Sequence, residues 1–326
     1  MKVLVIGGSG FIGIRLVKAL CDAGFQVRLL SRKECLVSEW CNDGLERAKG
    51  DLLDSAFDIR AAVAGCSIVF NCAGELSNEN LMRSLHVDAT RRIVRACKDL
   101  ARGTGKALHY VQLSSVGAYG PSAGGSVAVR VITEESATAP VGVYESTKTE
   151  ADEIIIAAQE KGVFTFSILR PSNVFGAGMP NNSIRQWGGV IKRGLFFYVG
   201  SRGAISTYVH VDDVVRALLL CGFNEHAKGE IFNISNDCTQ EELVEAMAEA
   251  LKVRAPTLRV PELLARAVCR IFSRVPGFPL SSTRIDSLVA RTTYPVDKLA
   301  RVLGYSHDRP VKDTISEVIL SNNDGR

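Results

Sequence analysis

KVLVIGGSGFIGIRLVKAL, residues 2–20, is the stretch on which the fold turns. Residues 2–6 are a short, apolar, β-branched run and predict a strand. Residues 11–24 carry apolar side chains at helical spacing and stop at Gly24. Between them GGSGFIG (7–13) fits G-x-G-x-x-G through Gly8, Gly10 and Gly13, and G-x-x-G-x-x-G through Gly7, Gly10 and Gly13. The pattern alone is weak, but here it follows a strand and opens a helix at the start of a βαβ unit, the context that makes it informative. Glycines allow a tight turn and a close backbone approach to a pyrophosphate, and the helix amides and dipole then face the negative charge. Gly7, Gly10, Phe11, Ile12 and Gly13 are therefore the expected phosphate cradle.

Outward from this loop the chain alternates. Strands are predicted at 26–31, 67–74, 107–115 and 164–171, and helices at 81–103 and from about Tyr144 to Lys161. Strand and helix at this rhythm predict an α/β fold: a Rossmann-type, doubly wound parallel sheet covered on both faces. Residues 1–175 are expected to form the dinucleotide-binding domain. After 175 the rhythm degrades, with a loop at 176–182 and a breaker-rich patch at 275–282. Residues 176–326 are therefore expected to be mainly a smaller, mixed substrate-binding lobe, with some segments returning to the first domain. At the tip of the second strand stand Ser31 and Arg32, where an acidic residue would bond the adenosine ribose hydroxyls. A guanidinium there suits a 2′-phosphate, so NADP is expected ahead of NAD.

Composition narrows the function further. The chain has 326 residues, 46% apolar and 23% charged, which is ordinary for a globular protein. Its net charge of +4, from 39 basic and 35 acidic residues, and the lack of any basic run argue against a nucleic-acid partner. The nine cysteines form no C-x-x-C and are odd in number, which predicts reduced thiols rather than a disulfide frame. The five histidines are scattered, and no metal site is expected. Glycines interrupt the apolar N-terminus, and no span of about 18 apolar residues occurs, so a soluble, cytoplasmic protein without a membrane partner is expected.

VYESTK (143–148) places Tyr144 and Lys148 one helical turn apart on one face. With the motifs around it, the chain resembles the extended short-chain dehydrogenases/reductases, the group of nucleotide-sugar epimerases, dehydratases and 4-ketoreductases. GGSGFIG resembles that family's glycine motif, GDLLD (50–54) its adenine-contacting Asp51-Leu52, and NCAG (71–74) its turn after the fourth strand. QLSSVGAYG (112–120) resembles the segment with the active-site serine, YESTK the Y-x-x-x-K signature, LRPSNVFG (169–176) the stretch along the nicotinamide, and YVHVDDVVRA (208–217) the C-terminal-lobe motif.

The resemblance implies catalytic roles for Ser115, Tyr144 and Lys148. It implies cofactor contacts from Cys72, Ala73, Gly74, Ser114, Pro171 and Asn173 in addition to the cradle, Ser31, Arg32, Asp51 and Leu52. Tyr144 would exchange a proton with a substrate oxygen while the nicotinamide exchanges hydride. A free tyrosine titrates near ~10, and Lys148 with an oxidised nicotinamide would favour phenolate. A shift of about three units requires about 4 kcal/mol. Two departures stand out. His86 occupies a position where the family usually has Asn, and Ser206 stands two before Tyr208, where many nucleotide-sugar members carry a diphosphate-binding Arg.

Ser115, Asn173, Arg202, Arg284 and Arg291 are the candidate substrate contacts. His210, Asp212 and Asp213 read as a structural strand-to-helix junction. The expected activity is oxidation or reduction at C4 of a nucleotide-diphosphate sugar, as a 4-ketoreductase or a 4-epimerase. The alternatives are an NADP-dependent reductase or dehydrogenase of a sterol-like, flavonol-like or aldehyde substrate, and a cofactor-sensing protein without turnover. The family also implies a homodimer through the helices near 81–103 and 144–161, with Ile154, Ile155 and Ala158 as candidate contacts.

Overall fold

The structure is a computed structural model that describes residues 1–32, 44–121, 128–272 and 281–321. The chain runs β1 (Lys2–Ile6), α1 (Gly13–Asp22), β2 (Gln26–Ser31), β3 (Leu45–Lys49), α2 (Ile59–Val63), β4 (Ile68–Asn71), α3 (Glu79–Arg83), α4 (Ala89–Thr104), β5 (Leu108–Leu113), β6 (Arg130–Val131), α5 (Val143–Ala157), β7 (Phe164–Pro171) and β8 (Asn173–Phe175). It continues through α6 (Ser183–Lys192), β9 (Tyr198–Val199), β10 (Ile205–His210), α7 (Val211–Phe223), β11 (Glu230–Ile234), β12 (Asn236–Thr239) and α8 (Gln240–Ala250). β13 (Arg259–Val260), α9 (Glu262–Phe272), α10 (Ser282–Val289), β14 (Thr292–Thr293), α11 (Asp297–Leu303), α12 (Val311–Thr314) and α13 (Ser316–Leu320) complete it.

The strands β11-β7-β5-β4-β1-β2-β3 form one 7-stranded sheet in which every pairing is parallel. Its central strands are buried on both faces, so they read as mainly apolar runs, with His109 and Gln112 the buried polar residues of β5. The chain winds outward in opposite directions from β1 and β4, and the crevice at that reversal is where such sheets bind ligands. One apolar core, including Leu16, Leu20, Val214 and Leu218, packs α1 and α7 on one face. The other, including Ile93, Cys97, Tyr110 and Ile155, packs α4 and α5 on the opposite face.

Residues 211–234 thus return from beyond 175: α7 covers the first sheet and β11 closes its edge. A smaller lobe gathers around Phe175, Ile184, Met247 and Ile315, with β8, β10 and β12 in a mixed 3-stranded sheet. Arg15 links α1 to this lobe, donating to the carbonyls of Phe11 at 3.0 Å and Ala177 at 2.5 Å.

Three local expectations change. The helix expected over 81–103 is broken: α3 ends at Arg83, residues 84–88 make a turn of π-helix, and α4 begins at Ala89. Helix α5 ends at Ala157 rather than near Lys161, because Glu160 turns back to bond Phe164 and Gly162 adopts a φ of 74°. β3 was not expected from LERAK; it is an exposed edge strand, held by Glu46 to Lys2 and Arg28. Ile155 is buried against the sheet, so of the three apolar candidates only Ile154 on α5 and Ala158 just after it lie partly open. The described cysteines are unbridged thiols; Cys35, Cys41 and residues 275–280 lie outside the described residues. Among the described residues, no helix is long and apolar enough to cross a membrane.

Candidate active site

The glycine loop decides between its two readings by geometry. Gly7 has a φ of +73°, and a Cβ there would lie 2.7 Å from the Ala73 nitrogen. At Gly13 a Cβ would lie 2.2 Å from the Gly7 carbonyl oxygen, so only hydrogen lets α1 start so close to the loop. A Cβ on Gly8 would instead meet the Leu29 side chain in the core. Gly7, Gly10 and Gly13, unlike Gly8, line the open crevice at the ends of the strands, and the Gly10 amide donates to the Gly7 carbonyl at 3.0 Å.

Two adjoining chambers run from this loop along the C-terminal ends of the strands. The first, about 190 Å³, is lined by Gly7, Ser31, Arg32, Asp51 and Leu52 among others. The second, about 370 Å³, is lined by Phe11, Ile12, Gly13, Ser114, Ser115 and Tyr144, and also by Lys148, Pro171 and Asn173. Gly10, Cys72, Ala73 and Gly74 form the wall they share. The whole set of residues expected to touch the cofactor thus lines one continuous trench. Leu76, Pro180 and Asn181 also line the second chamber. Sequence reading missed Pro180 and Asn181 because GAGMPNN (176–182) signals a loop and nothing about where the loop lies.

The catalytic candidates come from the end of β5 and the start of α5. Gly142 precedes the helix, Tyr144 stands in its first turn, and Lys148 follows one turn on. Lys148 Nζ donates to the carbonyls of Leu113 at 2.9 Å and Ala73 at 3.3 Å. Burial lowers its pKa to about 8, against the attraction of Asp152. Ser115 Oγ accepts from the Gly117 amide at 3.0 Å, which fixes the oxygen and keeps the O–H as a donor. Ser114, in contrast, donates its hydroxyl to Asp152 at 2.8 Å. Asp152 pairs with Arg170 at 3.0 Å, both almost wholly buried, and the guanidinium lies over the Tyr119 ring at 5.1 Å.

The expected lowering of the Tyr144 pKa is reversed in the protein alone. Burial, with Glu145 and Asp152 adding negative charge, pushes it up to about 12. Tyr144 is therefore protonated at neutral pH. Burial pushes the thiol of Cys72, on the wall between the chambers, up to about 12, so it is held as the neutral thiol.

The expected substrate contacts divide. Ser115 and Asn173 line the second chamber, although the Asn173 amide donates to the Thr207 carbonyl at 2.9 Å. Arg202, Arg284 and Arg291 line neither chamber. Arg202 and Arg284 are exposed, and Arg291 donates to Ser201 Oγ at 2.8 Å and to the Arg202 carbonyl. Ser206 is buried in β10. His210 caps α7, accepting from the Asp212 amide at 3.2 Å, and buried Asp213 accepts from the amides of Asp308 and Arg309. Among the described residues, no group of three His, Cys, Asp or Glu side chains is placed to hold a metal.

With the trench and the Ser115, Tyr144 and Lys148 cluster in place, comparison with known proteins is decisive. The NAD dependent epimerase/dehydratase family model matches residues 3–235. The chain belongs to that family. It is an enzyme of the NAD(P)-dependent short-chain dehydrogenase/reductase type, with dehydrogenases among its relatives.

Among its relatives is sterol-4-alpha-carboxylate 3-dehydrogenase ERG26, decarboxylating, of Saccharomyces cerevisiae, 24% identical over 99% of this chain and 98% of the relative. Another is the 3 beta-hydroxysteroid dehydrogenase/Delta 5-->4-isomerase of Mycobacterium tuberculosis, 26% identical over 93% of this chain and 85% of the relative. Among solved structures, MoeE5 in complex with UDP-glucuronic acid and NAD has a TM-score of 0.74 at 24% identity, over 98% of both chains. That likeness shows the epimerase/dehydratase fold. The glycine cradle, which a Cβ at Gly7 or Gly13 would fill, fits the dinucleotide that this family uses.

Proposed function

We propose that this protein is an NADP(H)-dependent oxidoreductase acting at a secondary alcohol or ketone, working as a reductase on an uncharged ring substrate of the sterol-like or flavonol-like class. The observation that carries this reading is the charge of the catalytic chamber. Among the described residues that line it, Lys148 is the only charged side chain, and its amine already serves two carbonyls. A substrate diphosphate is bound by charge-assisted pairs, and the arginines expected to supply them stand elsewhere. The hydroxysteroid named in the second relative, a neutral ring alcohol, points the same way.

Bound in the trench, the nicotinamide cofactor supplies or accepts hydride. Gly7, Gly10 and Gly13 would hold its phosphates, Asp51 and Leu52 its adenine end, and Arg32 a 2′-phosphate. The remaining chemistry belongs to this chain. Ser115 donates a hydrogen bond to the substrate oxygen and polarises the carbonyl. Tyr144, protonated, delivers the proton as the oxygen gains charge. Lys148 holds a positive charge behind the chamber and stabilises the phenolate that this leaves.

A second reading keeps C4 of a nucleotide-diphosphate sugar as the reacting centre, in a 4-ketoreductase or a 4-epimerase. Asn173 on the chamber wall and the UDP-sugar held by the solved relative favour it. One experiment separates the two. The protein is given NADPH with neutral ring ketones, then with a panel of UDP- and dTDP-hexoses and their 4-keto-6-deoxy forms, and cofactor absorbance and product configuration are followed. NADPH consumption with a neutral ketone alone supports the proposal. Consumption with a 4-keto nucleotide sugar overturns the substrate assignment, and sugar interconversion without net cofactor change installs the epimerase.

A further inference from the structure

Residues 84–88 form a turn of π-helix where the spacing predicted uninterrupted α-helix. Such turns concentrate at functional sites. This one carries His86, 2% exposed and hydrogen-bonded through both ring nitrogens. The Glu75 amide donates to Nε2 at 2.9 Å, so Nε2 is an acceptor and the neutral ring carries its proton on Nδ1. Nδ1–H then donates to Thr147 Oγ1 at 2.8 Å, and that hydroxyl donates to the Val143 carbonyl at 2.8 Å. The ring meets Tyr144 edge to face, with centroids 5.5 Å apart. Burial and the nearby Lys148 keep the imidazole neutral, holding its pKa down to about 3.

Ala73 and Gly74 belong to the wall between the two chambers, and Glu75 continues it along the first. Lys148 fixes this segment through the Ala73 carbonyl, and His86 fixes it through the Glu75 amide. Both anchors lead to α5, Lys148 directly and His86 through Thr147. We propose that His86 is a positioning residue for cofactor binding: it locks the Ala73–Glu75 wall of the trench to the first turns of the catalytic helix. This rests on the reading of the trench as the dinucleotide site. The asparagine usual at this position in the family reaches only as far as imidazole Nδ1, so it could keep the Thr147 bond but not the one to Glu75. The arrangement therefore belongs to the histidine of this chain.

Two variants divide the two bonds. In His86→Asn the amide replaces Nδ1 and the acceptor for Glu75 is lost. In His86→Gln the longer side chain returns an acceptor near the Nε2 position. NADPH binding is titrated by its fluorescence without substrate, beside the melting temperature of each cofactor-free protein. His86→Asn is expected to weaken NADPH about 3- to 10-fold, the scale of one hydrogen bond. His86→Gln is expected to stay within about 2-fold of the parent, the conservative replacement rescuing the loss. Variants that both bind like the parent overturn the inference, as do variants that weaken equally and in step with falling melting temperatures, the mark of a purely structural role. A parent that binds neither NADPH nor NADH overturns the reading of the trench itself, a failure distinct from that of His86.

Discussion

The Lys148 amine donates to the Leu113 carbonyl at 2.9 Å, joining α5 to the end of the strand that delivers Ser114 and Ser115. This bond gives the i,i+4 pair of Tyr144 and Lys148 its meaning: the lysine turns inward beneath the chamber. Its burial has a consequence for pH. The pKa falls to about 8, so Lys148 carries its charge below that value and loses it as pH rises through it.

Turnover should therefore decline above about pH 8. The substrate kcat/KM is expected to fall about tenfold per pH unit on that limb, since it reports ionisations of the free enzyme. Asp152→Asn removes the carboxylate that supports the charge and should move the limb to lower pH. A limb that stays in place in Asp152→Asn would separate it from Lys148.

The Asp152 and Arg170 pair sits beneath these groups, with side chains only 1% and 4% exposed. Breaking it by Asp152→Asn leaves a guanidinium in the interior. Removal of one partner of such a pair costs about 3–5 kcal/mol, which urea unfolding should register as a lower midpoint with an unchanged slope. Arg170→Met combined with Asp152→Leu should recover a large part of that loss, because the stranded charge is then gone. A double variant no more stable than Asp152→Asn would contradict this account of the site's support.

Arg32 is exposed at the rim of the first chamber, beside Ser31 and across from Asp51. Arg32→Ala should weaken NADPH more than NADH by about 1.5–3 kcal/mol, the size of a charge-assisted hydrogen bond. Competitive titration of the two cofactors measures the ratio directly. An unchanged ratio would make NAD the better assignment.

The parts of this architecture that were legible in the sequence share a physical origin. β1, the glycine loop and α1 announce themselves because a buried parallel strand is apolar and a helix opening beside it needs glycine. The Tyr144 and Lys148 pair is legible because its spacing is local. What depends on the packing of distant segments is not. LERAK is polar because β3 lies at the sheet edge, so its residues resemble a loop. The π-helical turn hides because its flanks keep helical spacing, and the bonds that stabilise it come from Glu75 and Thr147. Arg202, Arg284 and Arg291 were candidates by charge alone, whereas the fold of the second lobe leaves them outside the catalytic chamber. The Tyr144 pKa depends on burial, which no motif reports.

The central claim is that Tyr144 donates the proton, and Tyr144→Phe tests it most directly, because it removes one oxygen and keeps the ring that meets His86. With NADPH and a ketone substrate, the measurement is kcat beside the dissociation constant of the cofactor. The account predicts kcat lower by about 10²-fold or more, the scale of lost acid–base catalysis, with cofactor affinity nearly unchanged. A Tyr144→Phe enzyme that turns over like the parent would contradict it.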